Sequence, residues 1–286
     1  MWSRWRNEDD PAIPLPPSRG KVDIAKRWPD EGAFQRVARS GLVEPPPHPA
    51  LRATFPRKGG RGNFLKRVIL NRLLAARAKR EAVALVTQLD SGAQRIIARD
   101  DAKSDPLSAV LDEAFRFDRS GVQDGYFVSI QNPPLRLVMI GAVHIAQAVI
   151  PIAQLAGYDI IVIDPRGAFA TGARFPDVTL HSEWPDEILP RLGLDPRSAL
   201  LALTHDPKID DPALAIALHS SAFYIGALGS KKTHASRVAR LGDQGFTEAE
   251  IARIHGPIGL AIGAKGAPEI AISILAEMTR ALRLGA

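Results

Sequence analysis

From Phe64 onward the apolar residues of the chain fall into two alternating periods, and these set the expected elements. In "FLKRVILNRLLAARAKRE", Leu65, Ile69, Leu70, Leu73 and Leu74 share one helical stripe with Lys and Arg opposite. "AVALVTQL" and "QRIIARD" then read as strands joined by the turn residues Asp90-Ser91-Gly92. "DPLSAVLDEAFRF" reads as a second helix, with Asp105 as its cap and Pro106 in its first turn. "GYFVSIQNPP" is a further strand closed by Pro133-Pro134, so residues 64–133 are expected to form a small α+β subdomain.

After Pro134 the pattern changes. "LRLVMI" is a continuous apolar strand, followed by a helix over His144–Leu155, a turn at Gly157 and the strand "YDIIVID". "DVTLH" is a short strand and "DEILPRLGL" a short helix interrupted by Pro190. "SALLALT" and "AFYIGAL" are strands separated by the helix "DPALAIALHS". "KKTHASRVARLGDQG" is a helix ending near Gly242 or Gly245, and "PEIAISILAEMTRALR" is the last one. Fully apolar strands between amphipathic helices indicate a mostly parallel sheet covered on both faces. The expected fold class is therefore doubly wound α/β, Rossmann-like, over residues 134–286.

Residues 1–63 differ from both regions. They hold 10 of the 23 prolines and three of the four tryptophans, without periodicity around them. Such a segment buries too little apolar surface to offset its ordering entropy, so it is expected to be disordered or loosely attached. It also carries the charge. Residues 1–63 have 12 Lys/Arg against 7 Asp/Glu, whereas residues 64–286 have 25 against 24. The net charge of +6 therefore does not mark a nucleic-acid-binding face on the folded part. The longest apolar run, Leu137–Ala153, contains Gly141, His144, Gln147 and Pro151, and no stretch reads as a membrane span. The charged, proline-rich start does not resemble a secretory signal, so a cytoplasmic location is expected. The chain has no cysteine, which removes disulfides, thiolate metal ligands and a thiol nucleophile.

In an open parallel sheet ligands sit beyond the carboxyl ends of the strands, so the loops there hold the candidate residues. After the first strand comes Gly141-Ala142-Val143-His144-Ile145-Ala146. Gly141 permits the tight turn, but Val143 stands where a dinucleotide fingerprint has the glycine that admits a pyrophosphate. His144 opens the helix, as a ligand group at its positive end or as a capping or packing residue. Asp164, 23 residues beyond Gly141, holds the position of a ribose-binding carboxylate. Arg166 either meets a phosphate or pairs with Asp164. In "THDPKIDD", Thr204 and Asp206 either cap the next helix or bind ligand, and His205 and Lys208 would point into the crevice. "GALGSKKTH" places Gly226 and Gly229 beside Ser230, Lys231, Lys232, Thr233 and His234 at a helix start, an anion cradle or a solvated Lys-Lys pair. Gly259 belongs to a glycine-rich loop before the last helix, which is expected to cover the crevice. No catalytic triad order, paired carboxylates or zinc spacing emerges, so neither catalytic nor metal-ligating residues are assigned.

The stretches "GAVHIAQ", "VIDPRGAFATGARFP", "EWPDE", "LTHDPKIDDPAL", "FYIGALGSKKTHASRVARL" and "GFTEAEIARIHGPIGLAIGAKGAPEIAISILAE" resemble, in this order, the Rossmann domain of the XdhC/CoxI family. These are accessory proteins of xanthine dehydrogenase, and the resemblance runs from about Leu135 to the C-terminus. It implies a non-catalytic chaperone that binds molybdenum cofactor (molybdopterin) and protects it while its terminal sulfur is installed. The chaperone then delivers the cofactor to a xanthine dehydrogenase-type molybdoenzyme. A cysteine desulfurase for the sulfuration is implied as a partner, and a homodimer is left open. Longer members carry a cysteine-containing motif near the N-terminus, and this chain has no cysteine. The alternative is an NAD(P)-dependent oxidoreductase, favoured by Asp164 and opposed by Val143.

Overall fold

The structure, a computed structural model, describes residues 65–167 and 169–285. The expectation for residues 1–63 lies outside the described residues. Helix α1 (Arg67–Ala78) precedes a four-stranded antiparallel sheet of β1 (Val83–Gln88), β2 (Gln94–Ala98), β3 (Gly121–Gln123) and β4 (Tyr126–Gln131), in the order β2-β1-β4-β3. The β3–β4 hairpin turns on Asp124 (φ +51°) and Gly125 (φ +79°), with Gln123 paired to Tyr126. Two successive left-handed residues make the tight turn whose twist matches the strands it joins. The hydrophobic pattern missed β3 because all three of its residues are exposed.

Helix α2 (Ser108–Phe117) covers this sheet, setting Leu111, Ala114 and Phe115 against Ala84, Val86, Ile97 and Val128. It begins at Ser108 rather than at a capping Asp105. Asp105 instead accepts the N–H of Leu107 and pairs with the Arg95 guanidinium, closing a turn ahead of the helix. The stripe on α1 also needs correction. Ile69 and Ala76 are buried, whereas Leu65, Leu70 and Leu74 are exposed. The helix rests on β2, and that sheet edge covers one side of the stripe only.

The second sheet is six-stranded and parallel throughout. It comprises β5 (Leu135–Ile140), β6 (Tyr158–Ile163), β7 (Thr179–His181), β8 (Ser198–Ala202), β9 (Tyr224–Ala227) and β10 (Ile254–His255), in the order β10-β9-β8-β5-β6-β7. The direction of crossover reverses between β5 and β8, as in a doubly wound fold. Side chains alternate between faces. Leu137 and Met139 point to a core shared with α3 (His144–Leu155) and α8 (Ala267–Leu284). Val138 and Ile140 point to a second core, shared with α4 (Pro185–Leu192), α5 (Pro207–Leu218) and α6 (Lys231–Asp243). Both faces are dry, which is why the strands read as unbroken apolar runs.

Several details differ from the sequence pattern. Helix α5 starts at Pro207 and not at Asp211, because Asp206 caps it by accepting the N–H of Lys208, and Pro207 suits the first position. Pro190 does not interrupt α4, which continues to Leu192. A short helix α7 (Glu248–Ile251) and the strand β10 lie before the last helix. The cap of α7 is reciprocal, Thr247 with Glu250. The two sheets are joined by ion pairs around Asp118, which meets Arg197 at 3.0 Å and Arg283 at 2.9 Å. No helix among the described residues is long and apolar enough to cross a membrane.

Candidate functional site

At the point where the sheet reverses, the loops after β5 and β8 touch. Gly141 has φ +109°, and a Cβ there would lie 2.7 Å from Thr204 Cγ2. Glycine is therefore demanded both by the backbone conformation and by the neighbouring loop. The N–H of Ala142 donates to Asp164 Oδ2 at 2.8 Å. Asp164 is fully buried, and its other donors all come from Arg166: the backbone N–H and Nε to Oδ1 at 3.0 and 2.9 Å, and Nη2 to Oδ2 at 2.8 Å. Burial alone would push this carboxyl up, but Arg166 and the two backbone N–H groups outweigh it and hold it below the usual carboxylate range. Four donors on a buried carboxylate leave little for a ribose hydroxyl, so the structure makes Asp164 a staple for the Ala142 loop. Arg166 then turns its guanidinium over the ring of Phe169, 4.9 Å from the centroid. Val143 precedes α3 without a side-chain cap, and His144 is exposed at the first helical position.

The loop after β8 is organised by a second buried carboxylate. Asp210 accepts the Thr204 hydroxyl at 2.7 Å, and the backbone N–H groups of Thr204 and His205 at 3.3 and 3.0 Å. Thr204 Oγ1 in turn accepts the N–H of Asp206 at 3.1 Å. This holds His205 in a left-handed conformation, φ +63°, with its side chain exposed. Burial is the main influence on Asp210 and pushes its carboxyl up. Lys208 is exposed one residue inside α5.

The loop after β9 runs through Gly229, φ +145°, where a Cβ would lie 3.1 Å from the Thr233 side chain. Ser230 caps α6, its Oγ accepting the N–H of Thr233 at 3.1 Å and lying 3.0 Å from the Thr233 hydroxyl. Lys231 and Lys232 are exposed in the first turn.

The structure therefore divides the candidate residues. His205, Lys232 and Thr233 line one pocket of about 230 Å³ between the starts of α5 and α6, together with Pro207, Asp210, Asp211, Ser236, Arg237 and Arg240. Three other candidates pack instead. Gly226 lies inside β9, where a side chain would strike Ile258 and Tyr224. His234 sets its ring against Gly256, and burial, helped by Arg237, lowers its affinity for a proton. Gly259, φ +91°, abuts Ser273 and donates its N–H to Glu277 at 2.8 Å.

Two buried polar centres had no place in the sequence pattern. Arg237 is one; it follows His234 by three residues and precedes Leu241 by four, so it lies on the inward stripe of α6. Glu277 is the other, at the same kind of position on α8. It accepts the Tyr224 hydroxyl at 2.6 Å and lies 3.2 Å from His255 Nδ1. A charged residue on an apolar helical stripe is the signal that would have found both. Among the described residues no group of three or more His, Cys, Asp or Glu is arranged to hold a metal ion.

Comparison with known proteins bears on the same region. Residues 137–278 match the family model described as the XdhC Rossmann domain. The chain is 31% identical over 147 residues to the molybdenum cofactor insertion chaperone PaoD of Escherichia coli K12, covering 51% of this chain and 40% of that protein. It is 32% identical over 156 residues to a probable xanthine dehydrogenase subunit of Bacillus subtilis 168, covering 53% and 44%. It is also 34% identical over 154 residues to the uncharacterized protein YqeB of Escherichia coli K12, covering 53% and 28%. The chain thus spans less than half the length of these relatives. A crystal structure described as a xanthine dehydrogenase from Bacillus halodurans superposes with a TM-score of 0.55 at 25% identity, covering 77% of this chain and 65% of that one. The carboxyl-end loops of the parallel sheet fall within the matched segment, so it is residues 137–278 that resemble the XdhC Rossmann domain.

Proposed function

We propose that this chain is an accessory protein that binds molybdenum cofactor and passes it to a xanthine dehydrogenase-type molybdoenzyme. The observation that carries this reading is the kinship of its Rossmann segment to a molybdenum cofactor insertion chaperone. The geometry supports it from two sides. A nicotinamide dinucleotide finds less to hold it here, since Val143 stands in place of the second fingerprint glycine and the acceptor positions of Asp164 are taken by protein donors. On the other side of the switch point, the loops after β8 and β9 present lysine, arginine and two helix N-termini to one pocket, a setting suited to the phosphate of a pterin cargo.

In this reading the protein contributes binding and shelter while the chemistry remains with the cargo. The chain has no cysteine, so no thiolate of its own ligates the molybdenum. A cysteine desulfurase supplies sulfur to the sheltered cofactor before transfer, and candidates for holding the cargo are His205, Lys232 and Thr233 with the arginines of α6.

Native mass spectrometry of the chain made in cells with active cofactor synthesis, and in cells without it, tests the proposal. A bound mass matching the cofactor in the first preparation only is the expected result. Calorimetric titration with NAD and NADP, oxidised and reduced, completes the test. Micromolar nicotinamide binding with substrate-dependent turnover, and no cofactor mass, would replace the chaperone by an oxidoreductase.

A further inference from the structure

The pocket between α5 and α6 contains a cation that the protein leaves largely unsatisfied. Arg237 is 2% exposed, and its Nη2 donates to the carbonyl of Leu228 at 3.0 Å. Among the described residues its Nε and Nη1 are buried with no hydrogen-bond partner. A guanidinium carries five N–H donors in a fixed fork, and a native protein seldom leaves such buried groups without a partner. Asp210 and Asp211, though close enough to favour the charged form, are committed elsewhere. Arg240 holds Asp211 with two bonds, Nε at 2.6 Å and Nη2 at 3.0 Å. Asp210 is occupied by the Thr204 and His205 donors already described.

The pocket as a whole favours an anion. Its lining holds Lys232, Arg237 and Arg240 against Asp210 and Asp211, an excess of one positive charge. Helices α5 and α6, of 12 and 13 residues, both begin at its rim and bring the positive ends of their dipoles. Its volume of about 230 Å³ leaves room for a group larger than a single water molecule.

We infer that this pocket binds a phosphate-class dianion, a phosphoryl or pyrophosphoryl group, with Arg237 as its buried anchor and Lys232 at its edge. The guanidinium fork meets two oxygens of one phosphoryl group, and Lys232 adds a point charge. The group is either carried by the cargo or free in solution. The site rests on the pocket's own geometry and does not require the cargo's identity.

The test is calorimetric titration of the full chain, purified without cofactor, with inorganic phosphate and with pyrophosphate in a chloride buffer. One ion bound per chain is expected. Arg237→Lys keeps the charge but loses the fork, and weakens binding roughly tenfold. Asp211→Asn removes a negative charge from the lining and releases Arg240, and tightens binding severalfold. A purely structural arginine gives no such gain. The inference is overturned if the parent binds neither ion, or if Asp211→Asn fails to tighten the binding. The second criterion decides even where Arg237→Lys does not fold. Repeating the titration on cofactor-loaded protein then assigns the source. Loss of phosphate binding places the cargo's phosphate in the pocket, and retained binding makes it a site for free phosphate. Phosphate binding without cofactor retention would sink the proposed function and leave the pocket standing, and the reverse result would do the opposite.

Discussion

Asp164 and Arg237 are both buried charges near the carboxyl end of one parallel sheet, 0% and 2% exposed, yet the protein treats them in opposite ways. Asp164 receives four N–H donors and ties the loop after β5 to the loop after β6. Among the described residues Arg237 gives one hydrogen bond, to Leu228, and its Nε and Nη1 have no partner. A buried charge that is fully paired stiffens its surroundings, whereas one that is partly paired costs stability and keeps donors for a further group. On the proposal made above, the β5–β6 side of the switch point serves as scaffold and the β8–β9 side as the binding side. This inverts the usual dinucleotide arrangement, in which the first loop and the carboxylate after the second strand do the holding.

The comparison breaks most sharply at Asp164. Asp164→Ala leaves the Ala142 N–H and the Arg166 guanidinium without their acceptor. Loss of one partner of a buried pair costs 3–5 kcal/mol in the general case, and because the Arg166 side chain is 36% exposed we expect about 3 kcal/mol. Urea unfolding of parent and variant at neutral pH measures it. The pH dependence carries a sign of its own. The carboxyl sits below its usual range when folded, so its contribution is complete above the ordinary carboxylate pKa of about 3.9 and is lost as the pH falls through the folded value. The gap between parent and variant should therefore narrow in acid. A gap that stays constant below that pH, or one under about 1 kcal/mol at neutrality, would show that Asp164 is not the staple.

Gly141 offers a sharper version at smaller cost. Gly141→Ala forces a side chain into a left-handed conformation and against the Thr204 methyl, for a combined loss of roughly 2 kcal/mol. Adding Thr204→Ser removes that methyl and keeps the hydroxyl that Asp210 needs. The double variant should recover part of the loss, with the conformational part remaining. Strict additivity of the two substitutions would mean that the loops do not press on each other.

The backbone of this site was legible in the chain because it depends on local rules. The unbroken apolar strands and the glycine at the reversal point are written within a few residues of where they act. Asp206, by contrast, reads equally as cap or ligand and Ser230 as part of an anion cradle, and the structure makes both N-caps. What was not legible depends on distant partners. Asp164 and Arg166 lie two residues apart, and both a ligand role and a mutual pair were consistent with that spacing. Only the fold brings the Ala142 N–H to the same carboxylate and closes the question of its free valences. Gly226, His234 and Gly259 read as ligand residues because they sit in motif-like stretches, but Ile258, Gly256 and Ser273, which occupy the space beside them, lie 14 to 32 residues away, at separations no local pattern reports. Arg237 was passed over for the converse reason: it lies inside a helix, past the glycines and lysines that drew attention to the loop.

The smallest expected effect separates Lys231 from Lys232. The two are adjacent, equally charged and both exposed, and the sequence gives no ground for choosing between them. The structure does: Lys232 lines the pocket that contains Arg237, and Lys231 does not. Lys232→Ala should therefore weaken phosphate binding roughly two- to fivefold at low salt, the range of an exposed charge acting at short distance. Lys231→Ala acts only through the general field and should change it by less than about twofold. Raising the salt to physiological strength should bring the two variants together, since exposed charges are screened over about 8 Å there, while the contribution of buried Arg237 persists. Neither variant should move the unfolding midpoint. Titration of both variants with pyrophosphate at the two salt levels measures the difference. Equal losses for Lys231 and Lys232 would mean that the anion feels the whole first turn of α6 rather than one pocket beside it, and would return the loop from Gly229 to Lys231 as the cradle.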